Sequence, residues 1–315
     1  VITALQEYMN FAFNETPGMK ALLMDADTIP AVSLLFSMTE IIQKEVYLVQ
    51  QISDTTRETL PHLNAVCLLR PTKQNMELLK NELNSPKYGK YYLYFTNYLD
   101  STQLSLLSHA DVHEIVQKVM EVYVDYLPIN DDLFLSGCPN YYSVTCPNSY
   151  ACEQKTVDSL AALCLSLKKN PSIRFQQNSA LCKRIAEGLN QRLENEKKTL
   201  GQISGTTLII LDRSFDPITP LLTQWTYQAM IHEYIGIQNG KIVIDDKPIP
   251  LTNDPFFTEH MYLLFSDITD TIISKVNELT KKAGMNSKQY SSIEEMKQAI
   301  ESIPQLKKES AEIGR

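Results

Sequence analysis

The chain has 315 residues but only 10 glycines, about half the usual share, and no two of them stand as G-x-G. Loops that cradle phosphate need glycine so that backbone can approach the ligand closely. Without G-x-x-x-x-G-K-[ST] or G-x-G-x-x-G, neither standard nucleotide site is available. No serine sits in a G-x-S-x-G elbow, which leaves a serine hydrolase no footing. The six cysteines (Cys67, Cys138, Cys146, Cys152, Cys164 and Cys182) form no C-x-x-C pair. A zinc knuckle and a thioredoxin-type site are thereby excluded, and the cysteines read as buried thiols in a reducing cytosol. No apolar run reaches the roughly 20 residues a membrane helix requires. Basic residues are outnumbered, 29 Lys and Arg against 37 Asp and Glu, for a net charge of −8. Such a chain repels phosphate backbones, so nucleic acid is not an expected partner. Repeats and low-complexity tracts are absent as well.

What is present is an ordinary globular composition, 43% apolar and 21% charged, in a chain long enough for two compact domains and part of a third. Val1 stands where an initiator Met would, without a signal pattern, and Glu312–Arg315 ends in a helix-like stretch. Both features predict a fragment of a longer protein. In the first third, Met19–Asp25, Glu45–Ile52, Ala65–Arg70, Lys90–Asn97 and Val122–Ile129 are short and rich in Val, Leu and Tyr, and read as strands. Helical patterns separate them. In Thr72–Leu83, for example, Met76, Leu79 and Leu83 keep a helical spacing and Thr72 is placed to cap the first turn. Strands joined by helices imply crossovers, hence a doubly wound, mostly parallel sheet covered on both faces. That domain is expected to span 1–128.

Residues 129–238 read as a second, smaller α/β domain, incomplete in this chain. Its expected elements are helices over Cys152–Asn170 and Ser179–Thr199, a strand at Thr207–Asp212 and a helix from Pro220 to Ile235. Leu181, Ile185, Leu189 and Leu193 make the apolar stripe of the second helix. Residues 239–315 open with a hairpin turning at Asp245-Asp246 and continue as a truncated helical segment, with a capping box at Ser292-x-x-Glu295.

One enzymatic alternative comes from Asp25-Ala26-Asp27-Thr28 at the first strand's carboxyl end, where such folds bind ligands. The pattern resembles the nucleophile motif of haloacid-dehalogenase-type Mg-dependent phosphatases, with Asp25 as attacking carboxylate. The threonine stands one place early, however, and Asp131-Asp132, the nearest acidic pair, lies outside the strand pattern. His109 and His113 share one helical face if that segment is helical, but no ligand set completes them. The Lys pairs at 168–169, 197–198, 281–282 and 307–308 fit solvated helix faces. No catalytic or metal site and no cofactor is expected. Leu211–Gly236 concentrates Asp212, Arg213, Asp216, Pro217, Pro220 and Trp225. Charge-assisted bonds around Arg213 would fix the strand-to-helix turn, with Trp225 packing from the helix.

LDRSFDPITPLLTQWTYQAMIHE in that segment closely resembles the signature block of the SM (Sec/Munc-like) proteins, syntaxin-binding chaperones of vesicle fusion. Gln224–Met230 is worded most like the trans-Golgi and endosomal branch. Met38-Thr39-Glu40, Leu69–Thr72, Tyr94–Asn97 and Ser292–Lys297 fit the family in order. The resemblance implies a non-enzymatic, cytoplasmic, monomeric protein, peripheral to Golgi and endosomal membranes through its partner, a syntaxin-type Qa-SNARE and the SNARE complex. It further implies three domains forming an arch around a Qa-SNARE bundle, the second domain being completed by a later segment. The syntaxin's N-terminal peptide would sit beyond the fourth strand and against the following helix, in a pocket of Leu99, Leu104, Leu107, Val116 and Val119 with Glu121 at the rim. Read from the residues alone, Leu104, Leu106 and Leu107 fit either a buried core or an exposed groove. Pro304 matches a proline at which the family's helical hairpin bends. Ser37 and Gln50 replace charged residues of the synaptic branch, which implies that contact with a closed syntaxin differs here.

Overall fold

The computed structural model describes residues 1–138, 150–196, 200, 205–238, 240–251 and 254–282. Its contacts fall into two compact units, Val1–Phe215 and Asp216–Arg315.

The first unit is built on a five-stranded, all-parallel sheet in the order β2-β1-β3-β4-β5. Its strands are β1 (Lys20–Met24), β2 (Val46–Gln51), β3 (Leu60–Leu69), β4 (Tyr88–Phe95) and β5 (Val116–Glu121). Flanking them are α1 (Ile2–Glu15), α2 (Thr28–Leu35), α3 (Met38–Gln43), α4 (Lys73–Asn84) and α5 (Ser101–Ala110). The continuous apolar runs of the central strands divide between two cores, because successive side chains point to opposite faces. Leu22, Met24, Val66, Leu68, Tyr92 and Tyr94 pack with α1 and α2 through Leu5, Met9, Phe13, Val32 and Leu35. Their immediate neighbours Ala21, Leu23, Ala65, Cys67, Tyr91, Leu93 and Phe95 pack with α4 and α5 through Met76, Leu79, Leu83 and Leu107. Thr72 caps α4 as expected, its hydroxyl accepting from the Asn75 N–H. Gly89 in β4 is where a Cβ would run into the Pro61 carbonyl oxygen, so β3 and β4 close up only on glycine there.

The fifth strand is not the one expected. Val122–Ile129 contributes only β6 (Leu127–Pro128), antiparallel to β7 (Phe134–Leu135). Val122, Val124 and Tyr126 are buried without joining the sheet. The sheet's edge is formed six residues earlier by VQKVME, whose half-exposed, polar-interrupted run hides the strand signal. Tyr123, just beyond β5, takes a positive φ of 49°, which turns the chain away from the sheet.

The same unit continues through α6 (Tyr150–Ser166), β8 (Ser172–Phe175), α7 (Ala180–Asn195) and β9 (Thr207–Ile210). β8 and β9 pair in parallel. Leu189 and Leu193 of the expected stripe are buried with Ile185 against Val157, Ala161 and Cys164 of α6, and Leu181 packs beside them. The boundary expected at 128/129 falls inside this unit: Ala162 and Leu163 of α6 belong to the core of the large sheet.

In the second unit, the helix expected over Pro220–Ile235 is interrupted. A 3-10 turn at Thr219–Leu221 leads into extended backbone at Leu222, and α8 spans only Tyr227–Tyr234. Trp225 therefore precedes the helix and is exposed. The hairpin β10 (Lys241–Ile244) and β11 (Lys247–Pro250) turns at Asp245-Asp246 as expected. Both residues have positive φ, 49° and 59°, as the tight two-residue hairpin turn demands. Helices α9 (Pro255–His260) and α10 (Phe265–Lys282) follow, with the Asp254 carboxylate accepting from the Phe257 N–H at the start of α9. Ile231, Ile242 and Leu251 form the small core. Ser292–Lys297, Pro304 and Cys146 lie outside the described residues. Among the described residues no helix is long and apolar enough to cross a membrane.

Candidate partner-binding site

The residues expected to hold the partner's peptide gather where β4 ends. Asp100 opens α5 with a reciprocal cap: its carboxylate accepts from the Gln103 N–H at 2.7 Å, and the Gln103 side chain accepts from the Asp100 N–H at 3.0 Å. That cap fixes α5 beside the edge strand β5, whose outer backbone groups pair with no other strand of the five-stranded sheet. Lys118 and Met120 point toward α1, where Lys118 meets Glu15 and the Phe11 ring. Strand alternation puts Val119 and Glu121 on the opposite, α5 side.

The six residues expected here are brought to this one place, in different roles. Leu99 and Leu107 are core, each 4% exposed, and pack under α5. Val116 is half-buried against the same core. Leu104 and Val119 face solvent, at 45% and 41%. Glu121 ties the corner: one carboxylate oxygen accepts from the Leu99 N–H and the other from the Tyr123 hydroxyl, both at 2.9 Å. Burial, reinforced by that carboxylate, pushes the Tyr123 phenol up. Val116, Val119 and Glu121 stand on an edge strand and not on a helix. His109 lies in the last turn of α5, whereas His113 falls beyond its end, so the two share no helical face. Among the described residues no cluster of His, Cys, Asp or Glu is placed to hold a metal ion.

The geometry at Asp25 does not support the phosphatase alternative. Its side chain is 5% exposed and both oxygens are occupied. One accepts the N–H groups of Asp27 and Thr28 at 2.9 and 2.8 Å. The other accepts the Arg70 N–H and the Asn75 side-chain amide, both at 2.6 Å. A carboxylate with its lone pairs filled by fixed donors is a structural knot joining the tips of β1 and β3 to α4, with nothing left for attack. Sequence reasoning missed the partner network on the far side of this tip. Arg70 Nε donates to Asp125 at 2.9 Å, and Asn97 donates to the other Asp125 oxygen at 2.8 Å. Burial pushes the Asp125 carboxyl up to about 6, against the opposing pull of Arg70 and Asn97. The only signal for this cluster was its position, just past the strands' carboxyl ends.

The Leu211–Gly236 signature is also a set of turn acceptors. Asp212 accepts from Ser214 through one oxygen and from Ser179 Oγ, the N-cap residue of α7, through the other at 2.6 Å. In the second unit, the Asp216 carboxylate takes the N–H groups of Ile218 and Thr219 and the Thr219 hydroxyl. Arg213 falls in a one-turn 3-10 helix, and Pro220 starts the second such turn together with Thr219. Pro217 is exposed like Trp225.

Residues 20–314 match the model of the Sec1 family. The chain is 39% identical to vacuolar protein sorting-associated protein 45 of Mus musculus and 33% identical to that of Saccharomyces cerevisiae, in each case over its whole length. It spans 58% and 57% of those two proteins. Among solved structures, the SM protein Vps45 in complex with the Qa SNARE Tlg2 superposes with a TM-score of 0.86 at 35% identity. That match covers 99% of this chain and 60% of the solved one. The Unc18–syntaxin 1 complex from Monosiga brevicollis gives 0.85 at 20% identity, over 100% of this chain and 60% of the other. At that identity it supports the fold alone.

Proposed function

The chain belongs to the Sec1 family, and from that premise we propose that it belongs to a regulator of vesicle docking and fusion that binds a syntaxin-type Qa-SNARE and performs no catalysis. One observation carries the reading: the 35%-identical structure that covers 99% of this chain is itself held in complex with a Qa SNARE. Cytoplasmic work at Golgi and endosomal membranes as a monomer, attached through the SNARE partner and the SNARE complex, belongs to the same proposal. So does the three-part division at 128 and 238, with a later segment completing the second domain.

The α5/β5 groove takes the partner's N-terminal peptide in this reading. Leu104 and Val119 offer exposed apolar surface to a bulky side chain, and the free edge of β5 lies beside them. Leu99 and Leu107 form the floor, rigid because they are part of the core. Titration calorimetry with a syntaxin N-terminal peptide tests the assignment. Wild type binds, and Leu104→Arg, which places a charge on the apolar wall, weakens binding by tenfold or more, on the order of 1.4 kcal/mol. Equal affinity in Leu104→Arg removes the groove from the proposal, and a wild-type chain that binds no syntaxin, as peptide or as helical bundle, removes the partner.

A further inference from the structure

A cavity of about 510 Å³ opens over the carboxyl ends of β3 and β4, between the strand tips, the start of α5 and helices α6 and α7. Its size is that of a small-molecule site, and the carboxyl edge of a doubly wound sheet is where such sites form. The carboxylates facing it are largely supplied with donors. Asp125 has Arg70 and Asn97, Asp158 has Gln154 at 3.0 Å with Arg70 at 3.8 Å, and Asp100 caps its own helix. Lys155 is held by Asp27 at 2.8 Å.

Arg192 of α7 is different. Among the described residues it makes no ion pair, and its one side-chain bond runs from Nη2 to the Asn97 side-chain oxygen at 2.8 Å. Its guanidinium lies over the Tyr98 ring at 4.9 Å, which fixes the plane of the fork. Its Nε is buried without an acceptor. Closed off in this way, Nε cannot meet a ligand, and the end of the guanidinium left for an acceptor from outside is Nη1, which makes no bond among the described residues. Donors with capacity left are the outer end of the Arg192 guanidinium, the remaining N–H groups of Lys155 and Nη1 of Arg70.

We propose that this cavity binds a small phosphorylated molecule, its phosphate oxygens taken by the Arg192 fork with Lys155 and Arg70 alongside. Planar guanidinium groups recognise phosphate in two-point fashion. Recognition by side chains also fits a chain that lacks glycine-rich cradles. The test is titration calorimetry of the chain with pyrophosphate, at ionic strength held constant with chloride. Wild type should bind, and Arg192→Gln should bind about tenfold more weakly or worse. Arg192→Lys keeps the charge but loses the fork. It should fall between the two, and it carries the comparison if circular dichroism shows Arg192→Gln unfolded. Absence of binding in wild type, or wild-type affinity in both Arg192 variants, overturns the proposal.

Discussion

Replacing Asp25 with alanine removes the acceptor of four N–H groups at once, and the structure sets the scale of the loss. The donors are the backbones of Asp27, Thr28 and Arg70 and the side chain of Asn75. Thr28 and Asn75 are buried, so their N–H groups cannot turn to water, whereas Asp27 and Arg70 are partly open. Each buried donor left without a partner costs about 1–3 kcal/mol. The two together predict a loss of about 2–6 kcal/mol, and about 4 kcal/mol is the expected value. For a unit of this size that is a fall in melting temperature of about 8–16 °C. Asp25→Asn keeps one acceptor oxygen but aims an amide N–H at two of the donors, so it should recover at most half. The assay is urea unfolding followed by far-ultraviolet circular dichroism. The sole tryptophan, Trp225, lies in the second unit, and its fluorescence would report on the wrong part of the molecule. A loss below about 1 kcal/mol for Asp25→Ala would refute the account of Asp25 as a structural knot.

Asp125 makes stability depend on pH in the direction opposite to most carboxylates. Its folded value of about 6 lies above the ordinary 3.8. Between those values the folded chain holds a proton that the unfolded chain has released, so this group's contribution grows as pH falls from 7 toward 4 and is lost as pH rises through 6. A shift of that size corresponds to about 3 kcal/mol at most; Asp125→Asn should abolish this component of a stability–pH profile, and a profile unchanged by the substitution would refute it. Leu107→Ala should cost about 2–5 kcal/mol because the side chain is core, whereas Leu104→Ala should change stability by less than about 0.5 kcal/mol. Peptide affinity should nevertheless be weakened by Leu104→Ala, the substitution that leaves stability unchanged. Paired unfolding and calorimetric titrations check both halves.

The large sheet was legible because its central strands are apolar on both faces. AVCLLR and KYYLYFTN can be nothing but buried strands once short helices separate them. The same rule misplaced the fifth strand. An edge strand pairs on one side only and is covered less, so VQKVME carries Gln, Lys and Glu among its valines, while VYVDYLPI next to it has the stronger apolar signal and no place in the sheet. A helix start was read correctly where a single side chain does the work, as at Thr72. The run from Pro220 failed because a proline with a preceding threonine can open a 3-10 turn as readily as an α-helix, and nothing local says how far it will extend.

The six groove residues came from a family pattern, and no local signal could have sorted them. Leu104 and Leu107 lie three apart on one short helix, close enough to share a face, yet one is core and the other exposed. The difference lies in the tertiary packing, which takes Leu107 into the core shared by the sheet and α4 and leaves Leu104 outside it, a long-range fact that helical spacing does not encode. Asp25 shows the converse. Its position past the first strand is one that catalysis and architecture would both choose, and only the four donors converging on it from two stretches of chain, 27–28 and 70–75, decide between them. Arg192 is separated by 95 residues from the Asn97 it bonds. Its surplus of donors is a property of a fold in which α7 returns to the tip of β4, so a search of the sequence for phosphate motifs passes it by. For chains poor in glycine, sites of this kind have to be sought among converging side chains at the sheet's carboxyl edge, where an unpaired guanidinium is the distinguishing mark.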